Sequence, residues 1–566
     1  MEDVSAGRVD RELEPEGDAT TAKPRGDYRV ALVCVHGTHW MASRYIHSLV
    51  AANGFDAHTI FFRETFEQVL AATREEIDTV VDQLVALKPD VLGFNVTSMG
   101  YVECRTILTA YRERERDLGL KRAPVVWGGT HCTLKYREVL DNNKHVDYLC
   151  RGEGDEAFIE LLDALRQGED TTQIKNIYVN QAEGYIENAP RPLVQELDEL
   201  PRIDYGDTNK QYIIHNKVYQ DTNPIPLQKQ TYYINTARGC PFRCTFCGNS
   251  ALANKENGTG RYLRRRSVES VIDELKDALV EYPELDFIYF WDDVFTAYPK
   301  WVLEFAEAYK REIGLPFFCY THPEMITEEL MEALADAGLS QLTMGIESGS
   351  YRVRSKIMNR HETNPSIINA SKIQAGYGVD CHYDFILSAF EDERDKEEGL
   401  LLALSLEKPF KAQMHTMTYY PGYPITVRAL AEGFIQPGDV VGAAKGQRRT
   451  QSMYAEDIRR NAYINYYFLT GKPWIPNRAI QFLWDKDVHN RYPNALNRAV
   501  TAVRIPQKFT QIAGNYLKFA RNGNWSFMAI LARSYRSFLE LHVKRAERED
   551  VYEVAEISDR YGAPVL

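Results

Sequence analysis

The chain has 566 residues, 44% hydrophobic and 26% charged, with a formal net charge of -13. That length exceeds what one core organises, so two or three domains of ordinary soluble composition are expected. The acidic balance excludes a general nucleic-acid binder, and no apolar run is long enough to span a bilayer.

Residues 1–26 are polar and charged without apolar periodicity and read as a disordered leader. The opening Met-Glu-Asp-Val-Ser has no signal-peptide core. From residue 27 strand-like runs alternate with helical patterns. The strands are Tyr28 to Val35, His58 to Phe62, Val91 to Val96, Pro124 to Trp127 and Val146 to Cys150. The helices are Met41 to Asn53, Glu67 to Leu87 and Tyr101 to Asp117. This alternation predicts an α/β domain over 27–165 with a doubly wound parallel sheet. Ligands of such sheets sit at the carboxyl ends of the strands. Those ends carry His36-Gly-Thr-His39, Thr97-Ser98, Gly128-Gly129 and Gly152-Glu153-Gly154. Glycines there serve either as ordinary turns or as places where backbone approaches a ligand closely.

Residues 166–225 read as a connector, with a small hairpin from Asn176–Asn180 and Gly184–Glu187. A second βα series fills 226–430. Its strands are Thr231 to Asn235, Phe287 to Trp291, Leu342 to Ile346, Asp384 to Leu387 and Gln413 to Tyr420. A partial (β/α)6 barrel with its functional groups at the strand C-termini follows. Residues 431–566 are helical and aromatic, with a helix from Ala455 to Leu469 and a basic stretch from Asn494 to Arg548. That stretch either packs on the barrel with a wetted outer face or makes peripheral membrane contact.

The chain has nine cysteines, and Cys240, Cys244 and Cys247 stand in a C-x3-C-x2-C array. Three thiolates this close on one loop suit an iron–sulfur cluster, and a 4Fe-4S cluster so held keeps one iron open to a small molecule. A structural zinc needs a fourth ligand nearby, whereas the next candidates are Cys319 and His322. Grouped cysteines of this kind fit a reducing compartment, so the protein is expected in the cytoplasm.

The segment Cys240-Pro-Phe-Arg-Cys244-Thr-Phe-Cys247 resembles the signature loop of the radical S-adenosylmethionine (SAM) enzymes. The resemblance implies a 4Fe-4S cluster on the three cysteines and SAM on the open iron. It implies that one electron breaks the carbon–sulfur bond of SAM to make a 5′-deoxyadenosyl radical. Phe246 and Gly248 are then cofactor-binding, with Phe246 against the adenine. Glu347, in Met344-Gly-Ile-Glu-Ser-Gly349, resembles the family's Gly-Ile-Glu-Ser-Gly element and is placed at the ribose hydroxyls or the methionine ammonium. Asp292-Asp293 is placed either at the substrate or as a helix cap, and Arg264-Arg-Arg266 either at the SAM carboxylate or in solvent. Ser388-Ala-Phe390 departs from the family's glycine at that strand end.

Upstream, Trp127-Gly-Gly-Thr-His-Cys-Thr133 and Val146-Asp147 through Arg151-Gly-Glu-Gly-Asp-Glu156 resemble elements of the cobalamin-binding branch of that family. This implies cobalamin held at Ser98, Gly128, Gly129, Gly152 and Glu153. The wider cobalamin fold uses Asp-x-His-x-x-Gly to supply a histidine below cobalt. Here Cys34-Val-His36-Gly-Thr-His39 keeps His36 but lacks the Asp that would orient it and the final Gly. His36 is therefore not expected to ligate cobalt. Together these likenesses imply a cobalamin-dependent radical SAM methyltransferase acting on an unactivated carbon of a small-molecule substrate. A flavodoxin- or ferredoxin-type electron donor would serve it. The alternatives are a cyclase of the magnesium-protoporphyrin ester type, a phosphorus methylase, or a cobalamin- or redox-sensing regulator.

Overall fold

The computed structural model of the chain describes residues 22–37, 41–64, 72–224, 230–256, 258–441 and 458–504. Most of the expected leader, the start of the second expected helix and most of the basic stretch from Asn494 lie outside these residues.

The first unit is built on five runs of buried apolar residues. They form β1 (Arg29–Val35), β2 (Asp56–Phe62), β3 (Val91–Asn95), β4 (Val125–Gly128) and β5 (Tyr148–Cys150). Strands apolar on both faces must be covered on both faces. The helices that do so are α1 (Met41–Ala52), α2 (Arg74–Leu87), α3 (Tyr101–Asp117), α4 (Thr130–Asn142) and α5 (Asp155–Gln167). The second begins later than its apolar pattern suggests. Thr73 caps it, accepting from the Glu76 backbone N–H, while the Glu76 side chain bonds back to the Thr73 N–H.

Two further hairpins join the sheet. β6 (Ile177–Gln181) and β7 (Gly184–Ile186) pair antiparallel on β5. β8 (Lys210–Ile214) and β9 (Lys217–Gln220) extend it beyond β2. The strand order is β7-β6-β5-β4-β3-β1-β2-β8-β9. Much of the stretch read as a connector therefore forms both edges of the first sheet. The β8–β9 hairpin lacks a sequence signal, since its turn is His215-Asn216, both with positive φ, and carries no glycine. The order in which strands are added reverses between the parallel neighbours β1 and β3, which opens a crevice at the strand ends there.

The second unit starts with β10 (Thr231–Ile234), a two-stranded ribbon of β11 (Ala237–Arg238) and β12 (Arg264–Arg265), and α6 (Gly248–Lys255). It continues through β13 (Phe287–Phe290), β14 (Phe317–Thr321), β15 (Leu339–Glu347), β16 (Asp380–Leu387) and β17 (Lys411–Thr416). The order β10-β13-β14-β15-β16-β17 is a six-stranded, all-parallel open half-barrel. β14, with the helix Pro299–Glu312 before it, supplies the sixth strand missing from the five runs recognised in the sequence. One core lies between this sheet and its outer helices, including Ile234, Ile288, Phe290, Phe317, Leu342 and Tyr383. A C-terminal helix, Ile458–Thr470, packs Tyr463 and Tyr467 onto it. No helix among the described residues is long and apolar enough to cross a membrane.

Candidate functional site

The cysteine loop leaves β10 at the mouth of the half-barrel. Gly239 makes its entry turn at φ +89°, where an added Cβ would sit 2.4 Å from the Tyr262 carbonyl oxygen. The loop is fastened across the mouth. The Thr245 N–H donates to the Met358 carbonyl at 3.0 Å, its hydroxyl donates to that of Ile357 at 2.6 Å, and Asn359 donates to the Arg243 carbonyl at 2.8 Å. Phe242 stacks on His322 at a ring separation of 3.8 Å.

Cys240 and Cys244 are buried and Cys247 is half-buried. Burial pushes the Cys240 thiol up to about 11 and the Cys244 thiol up to about 12, and raises Cys247 as well. Three such thiols gathered in a dry loop favour a cationic partner that offsets thiolate formation, which fits an iron–sulfur core. The zinc alternative finds no support. Of the two candidate fourth ligands, Cys319 is in the barrel core and His322 is stacked on Phe242.

Phe246 packs on the apolar cluster of Ile357, Met358, Phe390 and Met417. Gly248 faces Tyr423, whose hydroxyl would lie 2.6 Å from an added Cβ. Glu347 ends β15 at φ +68°, beside a register shift after Gly345. Arg360 clamps it, donating to Glu347 Oε1 at 3.2 Å, to the Gly345 carbonyl at 2.6 Å and to Glu362 Oε1 at 2.7 Å. Burial pushes the Glu347 carboxyl up to about 7 despite this guanidinium. Arg360 lies in no recognised motif and is close to Glu347 only through the loop after β15.

The arginine triplet has other work than the SAM carboxylate. Arg264 donates to both Glu153 oxygens at 2.9 and 2.6 Å. Arg265 lies 4.3 Å over the Trp301 ring and donates to the Phe295 carbonyl. Arg266 pairs with Glu274 at 2.6 Å. Asp292 accepts from the Thr236 N–H and hydroxyl at 3.0 Å and so braces the loop. Asp293 instead lines the cavity described next, and burial, then Asp292, push its carboxyl up to about 6.

That cavity, about 510 Å³, lies at the reversal point of the first sheet and reaches the base of the cysteine loop. Gly93, Gly128, Gly129, Gly152 and Glu153 line it from the first unit, and Arg238, Gly239 and Asp293 from the second. Gly128 leaves open space, since an added Cβ would come no nearer than 3.6 Å to the Cys150 side chain. Gly129 is tighter, at φ +102° with a Cβ position 2.6 Å from Asn95 Oδ1 and 2.7 Å from the Val96 carbonyl. Three residues of the cavity lining form a half-buried latch. Arg238 donates to both oxygens of Asp155 at 2.9 and 3.0 Å, and the Asp155 carboxyl also accepts from Tyr45. Arg238 directly precedes Gly239-Cys240, so its adjacency to the cysteine loop was the available signal.

Ser98 lies outside the cavity lining, its Oγ 2.9 Å from His131 Nδ1. Burial, helped by Lys135, holds the His131 imidazole down to about 3. The unfolded chain titrates near ~6.5, so stability from neutral His131 is present above that pH and is lost as the pH falls towards 3. At pH 5 the loss is about 2 kcal/mol from this residue. Urea midpoints at pH 7 and pH 5 should therefore differ, and the difference should shrink by roughly that amount in His131→Gln. His36 is buried at the end of β1, its Nε2 3.8 Å from the Glu103 carboxylate on α3, and does not line the cavity.

The family profile of the radical SAM superfamily matches residues 234–399, and that of the B12 binding domain matches residues 28–162. An uncharacterised methyltransferase of Pyrococcus horikoshii is 26% identical over 388 residues, 67% of this chain and 79% of that protein. The anaerobic magnesium-protoporphyrin IX monomethyl ester cyclase of Rubrivivax gelatinosus is 26% identical over 430 residues, 73% of this chain and 71% of that protein. The solved structure of the cobalamin-dependent S-adenosylmethionine radical enzyme OxsB shares the fold. Its TM-score is 0.58 at 14% identity, covering 90% of this chain and 84% of that one.

Proposed function

This chain belongs to the cobalamin-binding radical SAM enzymes, and we propose from that premise that it transfers a methyl group to an unactivated carbon of a small molecule. The observation that carries this reading is the single cavity shared by Gly128 and Gly152 of the first unit with Gly239 and Asp293 of the second. A reaction that uses two cofactors on one substrate needs both to face a common space, because placement is a large part of the catalysis.

When bound, the cluster supplies the electron that cleaves SAM and the cobalamin carries the methyl group. Cys240, Cys244 and Cys247 would hold the cluster, and the hydrogen bonds of Thr245 and Asn359 keep their loop from shifting. Glu347, oriented by Arg360, would accept hydrogen bonds from the ammonium or the ribose of SAM. Phe246 and Gly248 would lie beside the same ligand. Gly128, Gly129, Gly152 and Glu153 would border the cobalamin, with Glu153 holding Arg264 and so tying the two units together. Ser98 would act through His131 and the strand end rather than by contact. A flavodoxin or ferredoxin would deliver the electron in the cytoplasm.

His36 is buried against Glu103 and does not line the cavity, so it would not serve as a ligand to the cobalt of a bound cobalamin. The Co(II) form of the bound cobalamin should show no nitrogen superhyperfine splitting by electron paramagnetic resonance. His36→Ala should leave both spectrum and turnover nearly unchanged. A nitrogen triplet that disappears in the variant would restore His36 as the ligand.

The cyclase relative, which spans more of this chain than the methyltransferase at the same identity, favours ring formation as the second reading. Anaerobic incubation with methyl-labelled SAM and a host metabolite extract, followed by mass spectrometry, separates them. Methyl transfer predicts a product carrying the labelled carbon. A product without label rejects methyl transfer in favour of cyclisation or rearrangement.

A further inference from the structure

The concave face of the half-barrel carries side chains that neither cofactor site uses. Strand alternation sends Tyr232, Ile234, Ile288, Phe290 and Cys319 into the core behind the sheet. Their neighbours Tyr233, Tyr289, Phe318 and Tyr320 turn to the opposite face. There the rings make a continuous wall across β10, β13 and β14. Tyr233 and Tyr289 are 5.3 Å apart, Tyr289 and Phe318 stack at 4.3 Å, and Trp291 lies 5.1 Å from Tyr289. The hydroxyls of Tyr289 and Tyr320 meet at 2.7 Å. Trp291, at the strand end, remains 39% exposed, although a ring of this size is normally covered.

The other half of the same face is polar. Asp384 on β16 stands in register with Gly345, where the Glu347 carboxylate occupies the space a side chain would take. Asp384 Oδ1 is buried and accepts no hydrogen bond among the described residues, the nearest charged partner being His415 Nε2 at 3.9 Å. Cys381, Tyr383 and Phe385 of β16 lie in the core, so alternation turns Asp384 to the face that carries the aromatic wall, two strands beyond β14. A buried acceptor without a donor is costly unless a ligand satisfies it. The faces of tyrosine and tryptophan rings are negative, so wall and carboxylate both favour positive charge.

We propose that this face is the substrate chamber and that it selects a planar aromatic molecule bearing a basic nitrogen. The ring lies on the Tyr233–Tyr289–Trp291 wall and the protonated nitrogen turns to Asp384. The proposal rests on the radical SAM reading above, which puts the reacting carbon beside Glu347. A carboxylate substrate would meet Asp384 as a like charge, and a saturated ring would forfeit the contact with the wall.

The test is anaerobic equilibrium dialysis of the protein loaded with cluster, cobalamin and SAM against three probes. Tryptamine has the aromatic ring and the ammonium, indole-3-propionate has the ring with a negative charge, and 2-cyclohexylethylamine has the ammonium without the ring. Tryptamine should bind about tenfold tighter than either. Trp291→Ala and Asp384→Asn should each weaken it by about tenfold, with Trp291→Phe recovering part of the loss. Equal binding of the three probes, or unchanged tryptamine binding in both variants, overturns the chamber. Cobalamin content and dithionite-driven SAM cleavage are read on the same wild-type preparation. Loss of those alone rejects the radical SAM reading, while tryptamine retention still decides the chamber.

Discussion

Cys240→Ala, Cys244→Ala and Cys247→Ala should each abolish reductive cleavage of SAM, and iron should fall from about four per chain to below about one. The expectation comes from the loop's construction. Each thiol would take one corner of the cluster, and the open iron is available to SAM only while the other three corners are held. Losing one thiolate leaves two protein ligands, too few to keep the cluster in place. The scaffold should survive these changes. The stack of Phe242 on His322, the Thr245 hydroxyl bond to Ile357 and the Asn359 bond to Arg243 involve none of the three sulfurs. Cys247 stands at the N-cap of α6 without a side-chain cap bond, so its removal costs the helix little. The measurement is iron content and 5′-deoxyadenosine formation after anaerobic reconstitution, beside the melting midpoint of the apoprotein. Full cleavage by any one variant with an unchanged midpoint would sink the cluster assignment.

Gly129→Val should lose more than about tenfold in cobalamin retention. It should also destabilise the first unit by about 1–3 kcal/mol. The physical cause is sharper than a glycine leaving room for a ligand. At φ +102° any side chain is strained, and its Cβ would sit 2.6 Å from Asn95 Oδ1 and 3.0 Å from the Val96 backbone nitrogen. Relief requires the ends of β3 and β4 to part, and both ends line the cavity. Gly128→Ala is the informative companion, because its Cβ meets only Cys150 at 3.6 Å and its φ is unstrained. It should melt as the parent does and lose cobalamin only through contact with the ligand. Absorbance of bound cobalamin per chain, read with urea midpoints for both variants, separates strain from ligand contact. Parental cobalamin content in Gly129→Val would remove the strand ends from the site.

The two βα series were legible because burial writes itself into short apolar runs, and a strand apolar on both faces can belong only to a covered parallel sheet. The helix from Tyr101 to Asp117 has the same limits in sequence and structure. The hairpins around β6 and β8 were harder to place. A hairpin's register is local, but the sheet edge it joins is not. Lys210 to Ile214 is fully buried only because β2 runs beside it.

The sequence by itself determined the loop of three cysteines, the glycines at the strand ends and the family to which those motifs belong. It could do so because each requirement is met within about a dozen residues: thiolates must be close in the chain to share one cluster, and a strand end must turn at once. The tertiary structure alone decided which charges are spoken for. Arg264, equally eligible on paper as a SAM ligand, is committed to Glu153, 111 residues away. Arg360 holds Glu347 through a loop with no motif, and strand order and alternation bring Asp384 to the same sheet face as Tyr289 and Tyr320. Coulomb attraction and desolvation depend on separation in space and on burial, and neither can be read from position along the chain.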